Sequence, residues 1–326
     1  MTTKEEILNC LRICDRYVSG EELSDSLGVS RTAVWKNINT LRNSGYEIES
    51  VTNRGYRLVS LPDILSEEEI SANLNTKFLA KSIYYSRSID STNEEAKRQA
   101  LRGAPNGSLF IAEQQSGGKG RLGRVWASPE GTGLWFSILL RPDSIPKQIT
   151  SLTLLAGLAV CNSIRTCTSC PAMIKWPNDV VIGSKKVCGI LTEMAAEVDR
   201  VDYVVIGIGI NINHTSFPEE LQTKATSLQL ETGHSVRRIE LLQETLRQFE
   251  RLLENQKMNS SDTLLSQYRQ LCVSLNRRVG FTRNKQMLTG TAVDISPEGE
   301  LIVRCDDGTL TQIYSGEVTV QGIYGQ

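Results

Sequence analysis

Residues 116–126 read Ser116-Gly117-Gly118-Lys119-Gly120-Arg121-Leu122-Gly123-Arg124-Val125-Trp126, with four glycines and three cations in the first nine positions. Glycine reaches backbone conformations closed to other residues and lets the chain approach a ligand closely. Cations at every second or third position add charge to that freedom. Such a run suits wrapping an anion, a phosphate above all, with N–H groups and guanidinium forks turned inward; the alternative is a solvated turn. Two further groups stand out. Lys175-Trp176-Pro177-Asn178-Asp179 sets polar side chains beside a rigid Trp-Pro, ahead of the pair Lys185-Lys186. Gly207 and Gly209 lie two apart in an apolar run, so on a strand they share a face. That points to something flat packing on the backbone, or to a close strand-to-helix contact.

These groups lack the partners that nucleophilic or metal chemistry needs. The only histidines are His214 and His234, and the eight cysteines include a single C-x-x-C, Cys167-Thr168-Ser169-Cys170. No tightly bound metal or redox centre is expected, and the cysteines read as free, mostly buried thiols. The loop also lacks the P-loop spelling. A reaction run by positioning and by neutralising phosphate charge fits better: activation of a carboxylate on ATP, with Lys, Arg and Mg²⁺ supplying the charge.

The elements that must position these groups fall into parts. With 326 residues, 40% hydrophobic and 22% charged, the chain has room for two or three soluble domains. Its net charge of −1 excludes bulk attraction to nucleic acid or anionic membrane, so any basic site is local. A polar start and the lack of a long uninterrupted apolar run predict a cytoplasmic protein with no membrane span.

Residues 4–17 place Ile7, Leu8, Leu11, Ile13 and Cys14 on a helical stripe, 21–27 form a short helix ended by Gly28, and Ser30 caps a third helix over 31–43. Segments 46–51 and 55–59 alternate as a hairpin around Thr52-Asn53-Arg54. This is the order of a winged helix-turn-helix. Arg31, Thr32, Trp35, Lys36, Asn39 and Arg42 lie off the apolar stripe of the third helix. With Arg54 at the wing tip they are the candidate contacts to phosphates and base edges of DNA; a protein-binding helical module is the alternative.

Leu61-Pro62-Asp63 marks a boundary. Beyond it the pattern predicts helix 66–74, strand 82–85, a helix opened by Asp90-Ser91-Thr92-Asn93, strands 108–112 and 133–140, and helix 149–165. Strand 174–182 is broken by Pro177, 185–193 pairs back on it, and 203–213 is apolar enough to be buried on both faces. Helices 236–257 and 261–271 follow. From residue 276 short strands take over, 278–282, 288–296, 301–305 and 309–314, reading as a small β-barrel. The fold class is α/β (α+β) and multi-domain, with domains 1–62, 63–272 and 273–326.

Taken in order, Asp90-Ser91-Thr92-Asn93, residues 113–126, Lys175-Trp176-Pro177-Asn178-Asp179, Lys186-Val187-Cys188-Gly189-Ile190, Gly207-Ile208-Gly209-Ile210-Asn211 and Ala225-Thr226-Ser227-Leu228 resemble the bifunctional biotin–protein ligases that double as biotin-operon repressors. The resemblance covers essentially the whole chain. It implies a central mixed-sheet catalytic domain and a C-terminal SH3-like β-barrel behind the winged helix. It also implies a two-step reaction. Biotin and ATP give biotinoyl-5′-adenylate and diphosphate, and a lysine of a biotin carrier protein then takes the biotin, releasing AMP. Operator binding as an adenylate-responsive repressor, and a homodimer promoted by the adenylate, go with it.

By the same resemblance Ser91, Thr92, Asn93, Gln115, Gly118, Lys119, Arg121, Arg124, Asn178 and Asn211 line the biotin and adenylate site. Trp126 packs on the adenine, Gly207 and Gly209 floor the biotin pocket, and Asp179 helps hold Mg²⁺. Lys186, with Arg121, is the catalytic candidate; it is chosen over Lys185 because it directly precedes Val187-Cys188-Gly189. The family loop is often written Gly-Arg-Gly-Arg-x-Gly-Arg. Lys119 here keeps the charge but loses the planar fork. Two other readings stand beside this one: a ligase whose DNA-binding domain no longer represses, and a lipoate ligase, which shares the fold but lacks the winged helix and this loop.

Overall fold

The computed structural model describes residues 2–14, 16–60, 63–142, 149–197, 201–257, 261–283, 286–314 and 316–325; Leu61 and Pro62, at the expected boundary, lie outside the described residues. The chain divides into two compact units, Met1–Ile64 and Leu65–Gln326.

The smaller unit holds α1 (Thr3–Ile13), α2 (Gly20–Leu27), α3 (Arg31–Asn43) and the hairpin of β1 (Glu47–Val51) and β2 (Gly55–Ser60). Ser19 and Ser30 cap α2 and α3, accepting from the N–H groups of Glu22 and Ala33. Gly28 closes α2 at φ 63°, the left-handed turn that glycine takes without penalty. Ile7, Leu11, Leu23, Val34, Ile38, Leu41 and Ile48 make the core. Ile13 is not in it: the helix ends there and the side chain is 84% exposed. Six residues past Ile7, it stands about 240° round the helix, on the solvent side.

The larger unit is built on a seven-stranded mixed sheet in the order β3-β4-β5-β9-β8-β7-β6. Its strands are β3 (Ile83–Ile89), β4 (Leu109–Gln115), β5 (Gly133–Leu140), β6 (Ala172–Lys175), β7 (Asp179–Ile182), β8 (Lys185–Ala196) and β9 (Val201–Asn211). β3 and β4 run parallel and the other neighbours antiparallel. After a short α4 (Glu67–Ser71), α5 (Thr92–Leu101) covers one face, where Ala96 and Ala100 meet Phe110, Leu139 and Val205. The other face carries α6 (Ile149–Thr168) and, after the one-turn α7 (Leu228–Thr232), α8 (Arg238–Lys257) and α9 (Ser261–Leu271). With both faces covered, every residue of β5 is buried.

Five antiparallel strands follow: β10 (Arg278–Arg283), β11 (Gln286–Ile295), β12 (Leu301–Cys305), β13 (Leu310–Ile313) and β14 (Val318–Val320), in the order β13-β12-β11-β10-β14. These strands occupy the stretch expected to form a small β-barrel; β13 and β14, at the two ends of the order, do not pair with each other among the described residues. β14, three residues long, is too short to declare itself by alternation. The sheet buries Val279, Phe281, Ile295, Leu301 and Val303 in the same core as α6 and α8. No helix among the described residues is long and apolar enough to cross a membrane.

One buried carboxylate ties the start of this unit to α8. Glu250, 5% exposed, accepts from the N–H groups of Lys77, Phe78 and Leu79 at 2.6, 2.8 and 2.9 Å. Glu250→Ala strands three donors and should lower stability by about 3 kcal/mol. Urea unfolding measures it, and a loss below about 1 kcal/mol contradicts the assignment.

Candidate functional site

An open cleft of about 470 Å³, solvent included, lies on the α5 face of the central sheet. It gathers Ser91, Thr92, Asn93, Gln115, Lys119, Arg121, Trp126, Asn178, Lys186, Gly207 and Gly209. The floor is bare strand. Pairing of β8 with β9 sets Gly189 opposite Gly209 and Leu191 opposite Gly207. A Cβ on Gly209 would stand 2.5 Å from Trp126 Nε1, and one on Gly189 3.0 Å from the same ring. The indole therefore rests on two glycines side by side. Gly207 has the same relation to Asn93, whose Oδ1 lies 2.1 Å from where its Cβ would be. The flat groups on this floor are the protein's own.

The walls are held by hydrogen bonds. Ser137 Oγ donates to Asn93 Oδ1 at 2.6 Å, and Asn93 Nδ2 donates to Glu193 at 2.8 Å. Gln115 accepts from Thr92 N–H at 2.8 Å and donates to Ser128 Oγ at 2.9 Å. Ser91 is buried at the N-cap of α5 with no side-chain capping bond. Trp126 Nε1 is buried without a hydrogen-bond partner among the described residues.

Lys186 reaches the cleft through a defect in the sheet. Val180 pairs with Cys188 and Val181 with Lys186, so one residue of β8 bulges out. Strict alternation would turn Lys186 to the face opposite Gly189. The bulge puts both on the same face, and the Lys186 ammonium stands 5.2 Å from the Trp126 ring centroid. It pairs with Asp179 Oδ1 at 2.5 Å, while Asp179 Oδ2 accepts from the Tyr324 hydroxyl at 2.7 Å. Burial works against ionising Asp179, but the charges of Lys186 and Lys175 and these hydrogen bonds outweigh it and hold the carboxyl below its ordinary value. Lys185 does not line the cleft.

The loop's cations are engaged with protein groups. Lys119 pairs with Glu94 at 2.9 Å. Arg121 donates to Asn178 Oδ1 and to the Gly316 carbonyl, both at 3.0 Å. Arg124, expected in the site, pairs with Glu317 at 2.6 Å and lies off the cleft. Gly118 is off it too: a Cβ there would meet the Trp126 carbonyl at 2.4 Å, so glycine lets the loop double back on itself. Asn211, at the end of β9, does not line the cleft; its amide donates to the Thr226 carbonyl at 3.2 Å. Asp179 has Oδ1 against the Lys186 ammonium and Oδ2 on the Tyr324 hydroxyl. No group of three or more His, Cys, Asp or Glu able to hold a metal occurs among the described residues. Gly189, Phe136 and Leu191 line the cleft without having been singled out for it. The Lys186–Gly189 spacing was the signal for Gly189, legible only with the bulge.

In the smaller unit Arg31, Thr32, Trp35 and Lys36 are exposed along α3, Asn39 is half-buried and Arg54 is exposed on the wing. Arg42 departs from the expectation. Its guanidinium donates to the Ile48 carbonyl at 2.6 and 2.9 Å and to Ser50 Oγ at 2.5 Å, tying α3 to the wing.

Residues 85–211 match the biotin/lipoate A/B protein ligase family, 3–57 an HTH domain and 274–320 the biotin protein ligase C-terminal domain. Among solved structures, the biotin protein ligase from Aquifex aeolicus in complex with biotin and ATP superposes with a TM-score of 0.65 at 33% identity, over 74% of this chain and 99% of that one. The bifunctional ligase/repressor BirA of Bacillus spizizenii is 41% identical over 93% of each chain, and that of Escherichia coli 29% identical over 94% of this chain and 93% of its own. The chain belongs to the biotin protein ligase family, in its bifunctional ligase/repressor form.

The glycine bed gives a test that needs no ligand. Gly209→Ala leaves no room for the indole, so Trp126 should be displaced. Tryptophan emission should shift to the red and become more accessible to acrylamide; an unchanged spectrum contradicts the packing.

Proposed function

We propose that the chain biotinylates a carrier protein from this cleft and represses biotin genes through α3 and the wing. A carboxylate oxygen of biotin attacks the α-phosphorus of ATP and diphosphate leaves. The amine of the carrier lysine then attacks the acyl carbon of biotinoyl-5′-adenylate, and AMP leaves. The observation that carries this reading is the Lys186 ammonium, held over the glycine bed beside Trp126. A fixed positive charge aimed where oxygen charge develops is what adenylation needs, since little proton transfer is required.

In this reading Lys186, steadied by Asp179, extends its remaining ammonium donors to the reacting carboxylate and phosphate oxygens. Arg121 and Lys119 exchange Asn178 and Glu94 for the phosphate. Ser91, Thr92, Asn93 and Gln115 hydrogen-bond biotin, Gly207 and Gly209 let it lie on the strand, and Trp126 leaves its bed to cover the adenine. Gly118, Arg124 and Asn211 support the loop and floor from outside the cleft. Mg²⁺ enters with ATP as part of the substrate. The adenylate is a reactive mixed anhydride, so the loop excludes water until the acceptor arrives.

On DNA, Arg31, Thr32, Trp35, Lys36 and Asn39 face the operator and Arg54 follows from the wing, with Arg42 bracing the two. The adenylate promotes a homodimer that holds the operator. The protein works in the cytoplasm, as three domains over 1–62, 63–272 and 273–326.

Lys186→Ala should slow adenylate formation on the order of 10²-fold or more, measured as diphosphate released from biotin and ATP; a wild-type rate removes Lys186 from the step. Deleting residues 1–62 should abolish retention of a biotin-gene operator in a gel-shift assay. Undiminished binding contradicts the repressor assignment.

A further inference from the structure

We propose that Tyr324 is a positioning residue for adenylation, acting on Lys186 through Asp179; the proposal rests on the ligase reading above. Tyr324 follows β14, 145 residues from Asp179 in sequence, yet its hydroxyl donates to Asp179 Oδ2 at 2.7 Å. Its N–H donates to the Ser184 carbonyl at 2.9 Å, in the turn that leads into Lys185 and Lys186. Its ring lies 5.0 Å from the ammonium of Lys175, which donates to the Val318 carbonyl at 2.9 Å. The residue adopts φ 61°, a left-handed conformation that is uncommon for a bulky side chain and persists only where surrounding contacts enforce it.

These contacts have a consequence for the reacting lysine. Asp179 is 8% exposed and has two oxygens to satisfy. With Oδ2 fixed by the phenol, the carboxylate cannot swing, and Oδ1 stays directed at Lys186. The tail thus sets the direction of the ion pair that aims the ammonium over the cleft floor. A phenol is suited to this role because it donates one hydrogen bond and adds no charge that would compete with Lys186 for the carboxylate.

The test uses the full chain and three variants: Tyr324→Phe, Asp179→Ala and the double substitution. Tyr324→Phe keeps the ring and removes one hydrogen bond to a charged group. The kcat for adenylation and kcat/KM should fall together, about tenfold, with KM for biotin and ATP held. In the Asp179→Ala background the same change should add less than about twofold, because the group it acts through is gone. A wild-type kcat in Tyr324→Phe, a loss confined to KM, losses that multiply in the double variant, or a loss that only tracks a lower folded fraction in a thermal melt each overturn the proposal. Wild-type turnover with an unaffected Tyr324→Phe overturns this proposal alone. A wild-type chain that forms no adenylate overturns the ligase reading and the proposal together.

Discussion

The ion pair between Lys186 and Asp179 is the constraint around which the larger unit is arranged. An ammonium on the wall of a cleft and a carboxylate beneath it must satisfy each other, since either charge left alone in that setting costs several kcal/mol. Three features converge on the pair. The β7–β8 bulge turns Lys186 to the cleft face, Lys175 adds a second positive charge near Asp179, and the C-terminal tail brings Tyr324 to the remaining oxygen. Each comes from a different stretch of chain, so the geometry of one ammonium depends on the central sheet and on the five-stranded sheet behind it.

The floor beneath that ammonium is defined by what it lacks. Gly189 and Gly209 face each other across β8 and β9, and the indole of Trp126 uses the space that two Cβ atoms would fill. The loop above is held closed by its own cations on Glu94, Asn178, Gly316 and Glu317. The ion pairs to Glu94 and Glu317 are exchangeable, because an exposed ion pair contributes little, and a phosphate can draw Arg121 from its neutral partners by accepting bidentate, charge-assisted bonds. The loop is therefore poised to trade protein partners for a ligand.

Much of this was legible in the sequence, and the reasons for the rest are specific. The bounds of α3, β5 and α9, the glycine pair on one face of β9 and the preference for Lys186 over Lys185 follow from periodicity, spacing and local motif. Long-range partners do not. Arg42 has the composition of a DNA contact, but the nearby wing strand offers the Ile48 carbonyl and the Ser50 hydroxyl, which hold it. Arg124 looks like its neighbours in the loop until Glu317 is brought beside it. Nothing in the motif around Asp179 reveals that its carboxylate meets Lys186 and, far along the chain, Tyr324. The last strand of the C-terminal sheet was hidden for a different reason: β14 is three residues long and shows no alternation to read.

The two activities occupy separate compact units, and the account stands most directly on the cleft. A crystal structure of the full chain grown with biotin and ATP is the decisive measurement. The account predicts biotinoyl-5′-adenylate lying over Gly207 and Gly209, the Trp126 indole lifted from its glycine bed, and the Lys186 ammonium on the acyl-phosphate oxygens while still paired with Asp179. An adenylate bound elsewhere, or one in the cleft with the Lys186 ammonium out of reach of those oxygens, would contradict it.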